Sequence, residues 1–358
     1  MQNNQKIPEG WSVKKILDVC PLQRGFDLPE QDIVIGDYPI VYSNGIKGTH
    51  HEYKAKAPGV VTGRSGTIGK VTYVEKDYWP HNTSLWVTDF KGNNPKFIFY
   101  KLQNLNFDKF NSGSGVPTLN RNDVHVEKIL LPPLPEQEKI AGILGTWDEA
   151  IEKLSSLIEQ KKLLKKGLMQ RLIYNRNDIK LYRVADLFEL GRGRVISKEE
   201  IEKNKGKYPV YSSQTSNNGV LGCIDIYDFQ GEYITWTTDG ANAGEVFYRN
   251  GKFNCTNVCG TAKPKRDVEV NLYYTMSFLN HVSKKYVSYV GNPKLMNGVF
   301  ASIPLELPSL EIQNKIAGVL STADEEINLL NQKLDALKEQ KKGLMQQLLT
   351  GQIRVKVN

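Results

Sequence analysis

A chain of 358 residues is long enough for two domains with full cores. Its formal charge of +8 points to an anionic partner, nucleic acid first. No apolar run approaches membrane-spanning length, and the opening MQNNQKIPEGW lacks the apolar core of a signal peptide, so a soluble, cytoplasmic protein with no membrane partner is expected.

Residues 1–133 form a first segment dense in short β-type runs punctuated by Gly, Asn and Pro. Examples are Tyr38–Ser43, Gly59–Thr62, Lys70–Val74 and Ser84–Val87, with a helical pattern over Phe97–Leu105. Leu131-Pro-Pro-Leu-Pro135 then breaks the chain, because proline is tolerated only at a helix start. From 134 to about 177 runs a long helix without internal proline. Its apolar positions step by four and three through Ile140, Leu144, Trp147, Ile151, Leu154, Ile158, Lys161, Lys165, Leu168 and Leu172, the seam of a coiled coil.

The plan then repeats. Residues 178–308 hold a second β-rich segment, with Tyr208–Ser212, Glu232–Trp236, Glu245–Tyr248 and a helical Leu272–Leu279. Residues 309–358 hold the second long helix and a short tail, with the seam Ile316, Leu320, Ala323, Ile327, Leu330, Leu334, Leu337, Lys341, Leu344 and Leu348. The two helices align without a gap from KIAG to KKGLMQ, with roughly half the positions identical. The β-rich segments have drifted further. Asp18–Gly25 still matches Asp186–Gly193, Asn44–Gly48 echoes Asn218–Gly222, and Pro117-Thr-Leu119 echoes Pro293-Lys-Leu295.

Charge fixes the expected direction of helix pairing. In each copy the acids crowd the front (Asp148, Glu149, Glu152; Asp324, Glu325, Glu326) and the lysines the back (Lys161, Lys162, Lys165, Lys166; Lys338, Lys341, Lys342). Antiparallel alignment sets each acidic front against a basic back, with Lys165 near Asp324 and Lys341 near Asp148. The expected fold class is therefore α+β: two β-rich domains, each followed by a long helix, the helices pairing as an antiparallel coiled coil with pseudo-two-fold symmetry. In that arrangement the two β-rich segments sit at opposite ends of the spine.

Catalytic signatures are missing. Thr62–Lys70 misses the P-loop spacing, and Gly191-Arg-Gly-Arg194 lacks the third glycine of a dinucleotide fingerprint. Zinc-protease, serine-hydrolase and deaminase patterns are absent, as is the Asn/Asp-Pro-Pro-aromatic motif of base methyltransferases. Cys255 and Cys259, with Cys223 and His281, would be the ligands of any zinc site, but structural zinc favours paired short spacings, so buried thiols are expected and no metal site is assigned. Cys20 completes the four cysteines, too few for a disulfide framework. A self-contained nuclease or methyltransferase is thus disfavoured.

The Gly-rich turns instead carry groups suited to a duplex. In the first segment these are Arg24, Asn44, Lys47, Arg64, Ser65, Thr67, Ser114, Thr118, Asn120 and Arg121. In the second they are Arg192, Arg194, Ser213, Gln214, Thr215, Asn217, Thr237, Thr238, Asn242, Lys294 and Asn297. Arg and Lys pair with guanine edges, Asn and Gln with adenine, while Ser, Thr and backbone amides hold phosphates. An alternative remains: a coiled-coil scaffold whose β-rich modules bind protein or glycan.

Two drifting β-rich segments, each closed by a copy of KIAG(I/V)L…KKGLMQ(R/Q)L, resemble the DNA-specificity subunit of type I restriction-modification enzymes. The resemblance covers the whole chain, including Pro8-Glu-Gly-Trp11, the Pro133–Ala141 run and the Lys-Lys-Gly-Leu-Met-Gln ends at 165–170 and 341–346. The second half departs from it, with Leu310-Glu-Ile-Gln-Asn before its helix and no Pro-Glu-Gly-Trp. The resemblance implies two target recognition domains reading a bipartite sequence in double-stranded DNA. It also implies paired helices that act as spacer and docking surface for two modification (methyltransferase) subunits, with restriction (translocase and nuclease) subunits joining. S-adenosylmethionine, ATP and Mg are then expected on those partners and no cofactor on this non-catalytic chain.

Overall fold

The computed structural model describes residues 7–112, 115–174, 179–214 and 216–357. By internal contacts the chain divides into two compact units, residues 1–156 with 332–358, and residues 157–331. The division cuts both long helices near their middles, because each half-helix buries its apolar stripe in a different core. No described helix is long and apolar enough to cross a membrane.

In the first unit, Gly59–Gly63 is a strand buried at every residue, flanked by Val71–Val74 and by Ser84–Val87. Leu22–Arg24 adds antiparallel to the last of these. Tyr38–Tyr42 lies between Gly45–His50 and the short Trp79–Pro80 in a second sheet, pairing parallel with the latter. The helix Pro95–Gln103 starts where Asn94 accepts a hydrogen bond from Phe97 N at 2.9 Å and proline occupies the first turn. It buries Phe97, Ile98, Tyr100 and Leu102 in one core with Ile140 and Leu144 of the first long helix and Leu348 and Leu349 of the second.

The second unit repeats the plan. Tyr233–Thr237 is central between Cys259–Pro264 and Val246–Arg249, with Phe188–Arg192 outermost. Lys205–Tyr211 pairs antiparallel with Val220–Ile224 and parallel with Lys252–Cys255. Helix Leu272–Val282 is capped by Asn271, which accepts from Tyr274 N at 2.9 Å.

Short runs that the sequence pattern does not mark as strands join each β-rich segment to its helix. Ser12–Lys15 pairs antiparallel with Lys128–Leu131, and Lys180–Arg183 with Pro304–Leu307. A glutamine then fastens each junction. Gln137 donates to Pro132 O at 2.9 Å and accepts from Asn94 N at 3.0 Å; Gln313 donates to Pro308 O at 2.8 Å and accepts from Asn271 N at 2.9 Å. Both glutamines are nearly fully buried, so these bonds satisfy groups that would otherwise be costly to desolvate.

The long helices span Leu134–Tyr174 and Leu310–Thr350, 41 residues each and about 60 Å long. Every seam residue named from the four-three spacing is buried or half-buried. Within each unit the pairing is antiparallel. In the first, Arg354 meets Glu136 and Lys341 meets Asp148; in the second, Lys161 meets Glu326 and Lys165 meets Asp324. The seam lysines Lys341 and Lys165 approach their aspartates to 2.5 Å. Each aspartate also accepts a tyrosine hydroxyl from its own unit, Asp148 from Tyr100 at 2.6 Å and Asp324 from Tyr273.

The departure between the two helix starts also has a structural reason. Glu136, 3% exposed, accepts from Trp11 Nε1 at 2.9 Å and from the Arg354 fork at 2.7 and 2.9 Å. The tail of the chain therefore closes on the first helix start, while Ile312 stands at the matching place in the second unit and packs into its core.

Lys341→Ala is expected to lower stability by about 1–2 kcal/mol in chemical denaturation, below the cost for a fully buried pair because Asp148 is 42% exposed. A double-mutant cycle with Asp148→Ala should return a coupling of about 1 kcal/mol. Additive effects would show that the seam lysine is held by packing alone.

Candidate nucleic-acid interface

In the first unit the loops at one end of the two sheets are knitted together by backbone. A Cβ on Gly63 would lie 1.9 Å from Thr67 O and 2.5 Å from Ser43 O, so only glycine lets the loop after its strand fold back against the Tyr42–Gly45 turn. Arg64 N and Ser65 N donate to Thr83 O at 2.9 and 3.1 Å, and Ser43 N donates to Thr83 Oγ1 at 3.2 Å. Gly66 N donates to Pro117 O at 3.0 Å and Leu119 N to Arg64 O at 2.8 Å, which brings in the loop carrying Thr118. Arg24, half-exposed, is held at 3.1 Å by Asp27, whose carboxylate also accepts from Asn82. Lys70 reaches Asn44 O at 2.5 Å. His81, whose ring lies tilted against Tyr42 with centroids 4.2 Å apart, bonds Thr83 Oγ1 at 3.0 Å, and burial lowers its pKa.

The structure thus gathers Arg24, Asn44, Arg64, Ser65, Thr67 and Thr118. Lys47 is exposed on the strand Gly45–His50. Asn120 spends its side chain capping a short helix, accepting from Asn122 N at 3.0 Å, and Arg121 is the exposed first residue of that helix. Ser114 lies outside the described residues. Asp27, His81, Asn82, Thr83 and Lys70 belong to the same cluster but escaped the sequence reading. The signal for Thr83 would have been its place just before a buried strand, and that for Asp27 its place three residues after Arg24.

The second unit builds the same backbone frame. Gly240 N donates to Pro293 O at 3.0 Å and Leu295 N to Thr238 O at 2.9 Å, the counterparts of the Gly66 and Leu119 bonds. Gly25 and Gly193 are matched too. A Cβ on either would lie 2.2 Å from a carbonyl oxygen, of His81 or of Cys255. On this shared frame the side chains differ. Arg192 donates to Asn257 O at 2.6 Å and to Thr238 Oγ1 and Asp239 Oδ2, each at 3.2 Å. Lys294 stands 3.9 Å from the other oxygen of Asp239. Arg192 keeps the arginine of Arg24, while Thr238, Asp239 and Lys294 stand where the first unit has Arg64, Ser65 and Thr118.

The other expected residues are more spread. Arg194 is clamped by Glu200 at 2.7 Å and Asp228 at 3.0 Å, and these bonds raise its pKa further. Gln214 donates to Val220 O at 2.5 Å, and Asn297 to Gly191 O at 2.9 Å. Ser213 is half-buried, and Asn217 is exposed in the left-handed region at φ 50°. Thr237 is buried with an unpartnered hydroxyl, and Asn242 accepts from Glu245 N through its carbonyl at 3.1 Å. Thr215 lies outside the described residues. Cys20, Cys255 and Cys259 are buried free thiols; burial pushes Cys20 up to about 12. Cys223 is half-buried and also free.

Taken together, each unit presents a rigid cluster of guanidinium, hydroxyl, amide and carboxylate groups suited to base edges and phosphates. The model of the type I restriction-modification DNA specificity domain matches the chain twice, over residues 8–160 and 176–339. The chain is 51% identical over 145 residues to the N-terminus of a putative type I specificity subunit from Mycoplasma pneumoniae, a match covering 40% of this chain and 77% of that relative. Another putative type I specificity subunit of that organism is 39% identical over 239 residues, covering 65% of this chain and 88% of the relative. Among solved structures, the S subunit of a type I restriction-modification system from M. genitalium matches 98% of both chains with a TM-score of 0.68 at 18% identity, a likeness of fold. With a family model spanning both of its halves, this chain belongs to the DNA specificity subunits of type I restriction-modification systems.

Proposed function

We propose that the two units read different halves of a split DNA sequence, and that the chain performs no chemistry of its own. The observation that carries this reading is one backbone frame bearing two sets of side chains. Loops tied by matched backbone bonds, from Gly66 and Leu119 in one unit and from Gly240 and Leu295 in the other, present Arg64, Ser65 and Thr118 in the first and Thr238, Asp239 and Lys294 in the second. Arginine suits guanine O6 and N7, and a carboxylate accepts from cytosine N4, so the two sets favour different bases. Backbone that is already locked need not be ordered on binding, which keeps the entropic cost low.

Methylation and cleavage then belong to partners. In this reading the paired helices dock two methyltransferase subunits, which bind S-adenosylmethionine, and restriction subunits supply ATP- and Mg-dependent translocation and cutting. The exposed helix flank, with Leu163 69% and Leu164 57% exposed, supports a docking role for this part of the spine.

Exchanging residues 179–308 for the segment of another specificity subunit should change one half of the methylated motif, read by sequencing methylated bases, and leave the other half intact. Simultaneous change of both halves would sink the modular reading. At single residues, Arg64→Ala and Arg192→Ala should each weaken specific binding by about 1–3 kcal/mol, measured against random duplex at fixed salt. Arg194→Ala, already committed to Glu200 and Asp228, should weaken it less. Equal losses on specific and random DNA would assign these arginines to phosphates instead.

A further inference from the structure

A hairpin in the second unit holds two apolar side chains out in the open. Ser288 and Lys294 exchange backbone hydrogen bonds, both at 2.9 Å, and Gly291 turns the tip with φ 73°. Tyr289 is 67% exposed and Val290 92%, the highest value for a large apolar side chain among the described residues. Single exposed apolar residues are ordinary on protein surfaces. Two adjacent ones on a braced tip differ, since bracing them in water gains nothing.

The bracing runs straight into the candidate interface. Pro293 O accepts from Gly240 N, Leu295 N donates to Thr238 O, and Lys294 forms a β-bridge with Asp239. Below the tip, Val287 is buried at 8% exposure and fixes the base of the hairpin in the core. The tip is therefore rigidly placed beside the loop that receives Arg192. Exposed Lys285 and Lys294 border it, a setting matched to an anionic surface. In the first unit Val116 is 60% exposed immediately before Pro117, so an apolar residue recurs at the corresponding loop.

We infer that the Tyr289–Val290 tip is an apolar finger that enters a groove of duplex DNA and adds sequence-dependent affinity by burying itself against bases. This rests on the recognition reading above. Thymine methyl groups and base faces are the apolar surfaces a groove offers. An apolar contact displaces no counterions, so it should contribute affinity without contributing to the salt dependence.

The test uses the full chain, a duplex selected from a randomised library, and anisotropy titrations over a salt series with wild type and the Y289S/V290S double variant. An unchanged thermal midpoint checks that the exposed substitutions leave the fold intact. Affinity for the selected duplex should fall about tenfold, while affinity for random duplex and the slope of log K against log salt stay the same. A variant that discriminates as well as wild type, loses equally on random DNA, or changes the salt slope overturns this inference and leaves the recognition reading standing. A wild-type chain that binds all duplexes alike overturns both.

Discussion

A lysine in the apolar seam of a helix pair is unfavourable until a carboxylate meets it, and both units contain such a meeting. Lys341 with Asp148, and Lys165 with Asp324, fix the helix register. Leucine and isoleucine seams can slide by a heptad and remain apolar, but a lysine that slides is left desolvated and unpaired. The same aspartates accept the hydroxyls of Tyr100 and Tyr273, side chains of the short helices in the β-rich segments. Burial, aided by that bond to carboxylate, pushes both phenols well above their ordinary range, so they remain donors across physiological pH. One carboxylate in each unit thereby sets helix register and seats the globular segment on the helix.

From that seat outward, constraint relaxes in steps. The buried Gln137 and Gln313 hold the junctions with matched bonds, and the central strands repeat in order and pairing. Beyond them, the loops keep only those contacts that fix backbone: glycines packed against carbonyls and the Pro-x-Leu links. At Arg64, Ser65 and Thr118, and at Thr238, Asp239 and Lys294, the frame is held through backbone atoms, so the side chains there can differ between the units. Arg24 and Arg192 persist, each oriented by a carboxylate, Asp27 or Asp239, taken from a different part of the loop set. A guanidinium oriented before binding loses less freedom when it meets a base edge.

The two halves are not equivalent where the chain begins and ends. Trp11, Glu136 and Arg354 come from the start, the middle and the tail, and they converge on one buried carboxylate. Removing the arginine would leave Glu136 with a single donor in a desolvated place, so the tail is part of the first unit's structure. The second unit, entered from the first helix, fills the same place with Ile312 and has no need of the ion pair.

The sequence alone determined the repeat, the two long helices with their starts, the antiparallel sense of their pairing and the family. These are properties of periodicity and of charge order along a single helix, and local spacing carries them. It also located most central strands, whose buried runs such as Gly59–Thr62 are continuous. The tertiary structure alone decided which loop residues share a surface. Asp27 stands only three residues from Arg24, but Asn82 reaches Asp27, and Thr83 reaches Arg64 and Ser65, through strand order, a non-local relation that no spacing encodes. It also decided that Asn120 caps a helix and that Arg194 is spent on Glu200 and Asp228. A polar side chain in a turn reads the same in sequence whether it faces solvent or satisfies a neighbour, and only the fold supplies the neighbour.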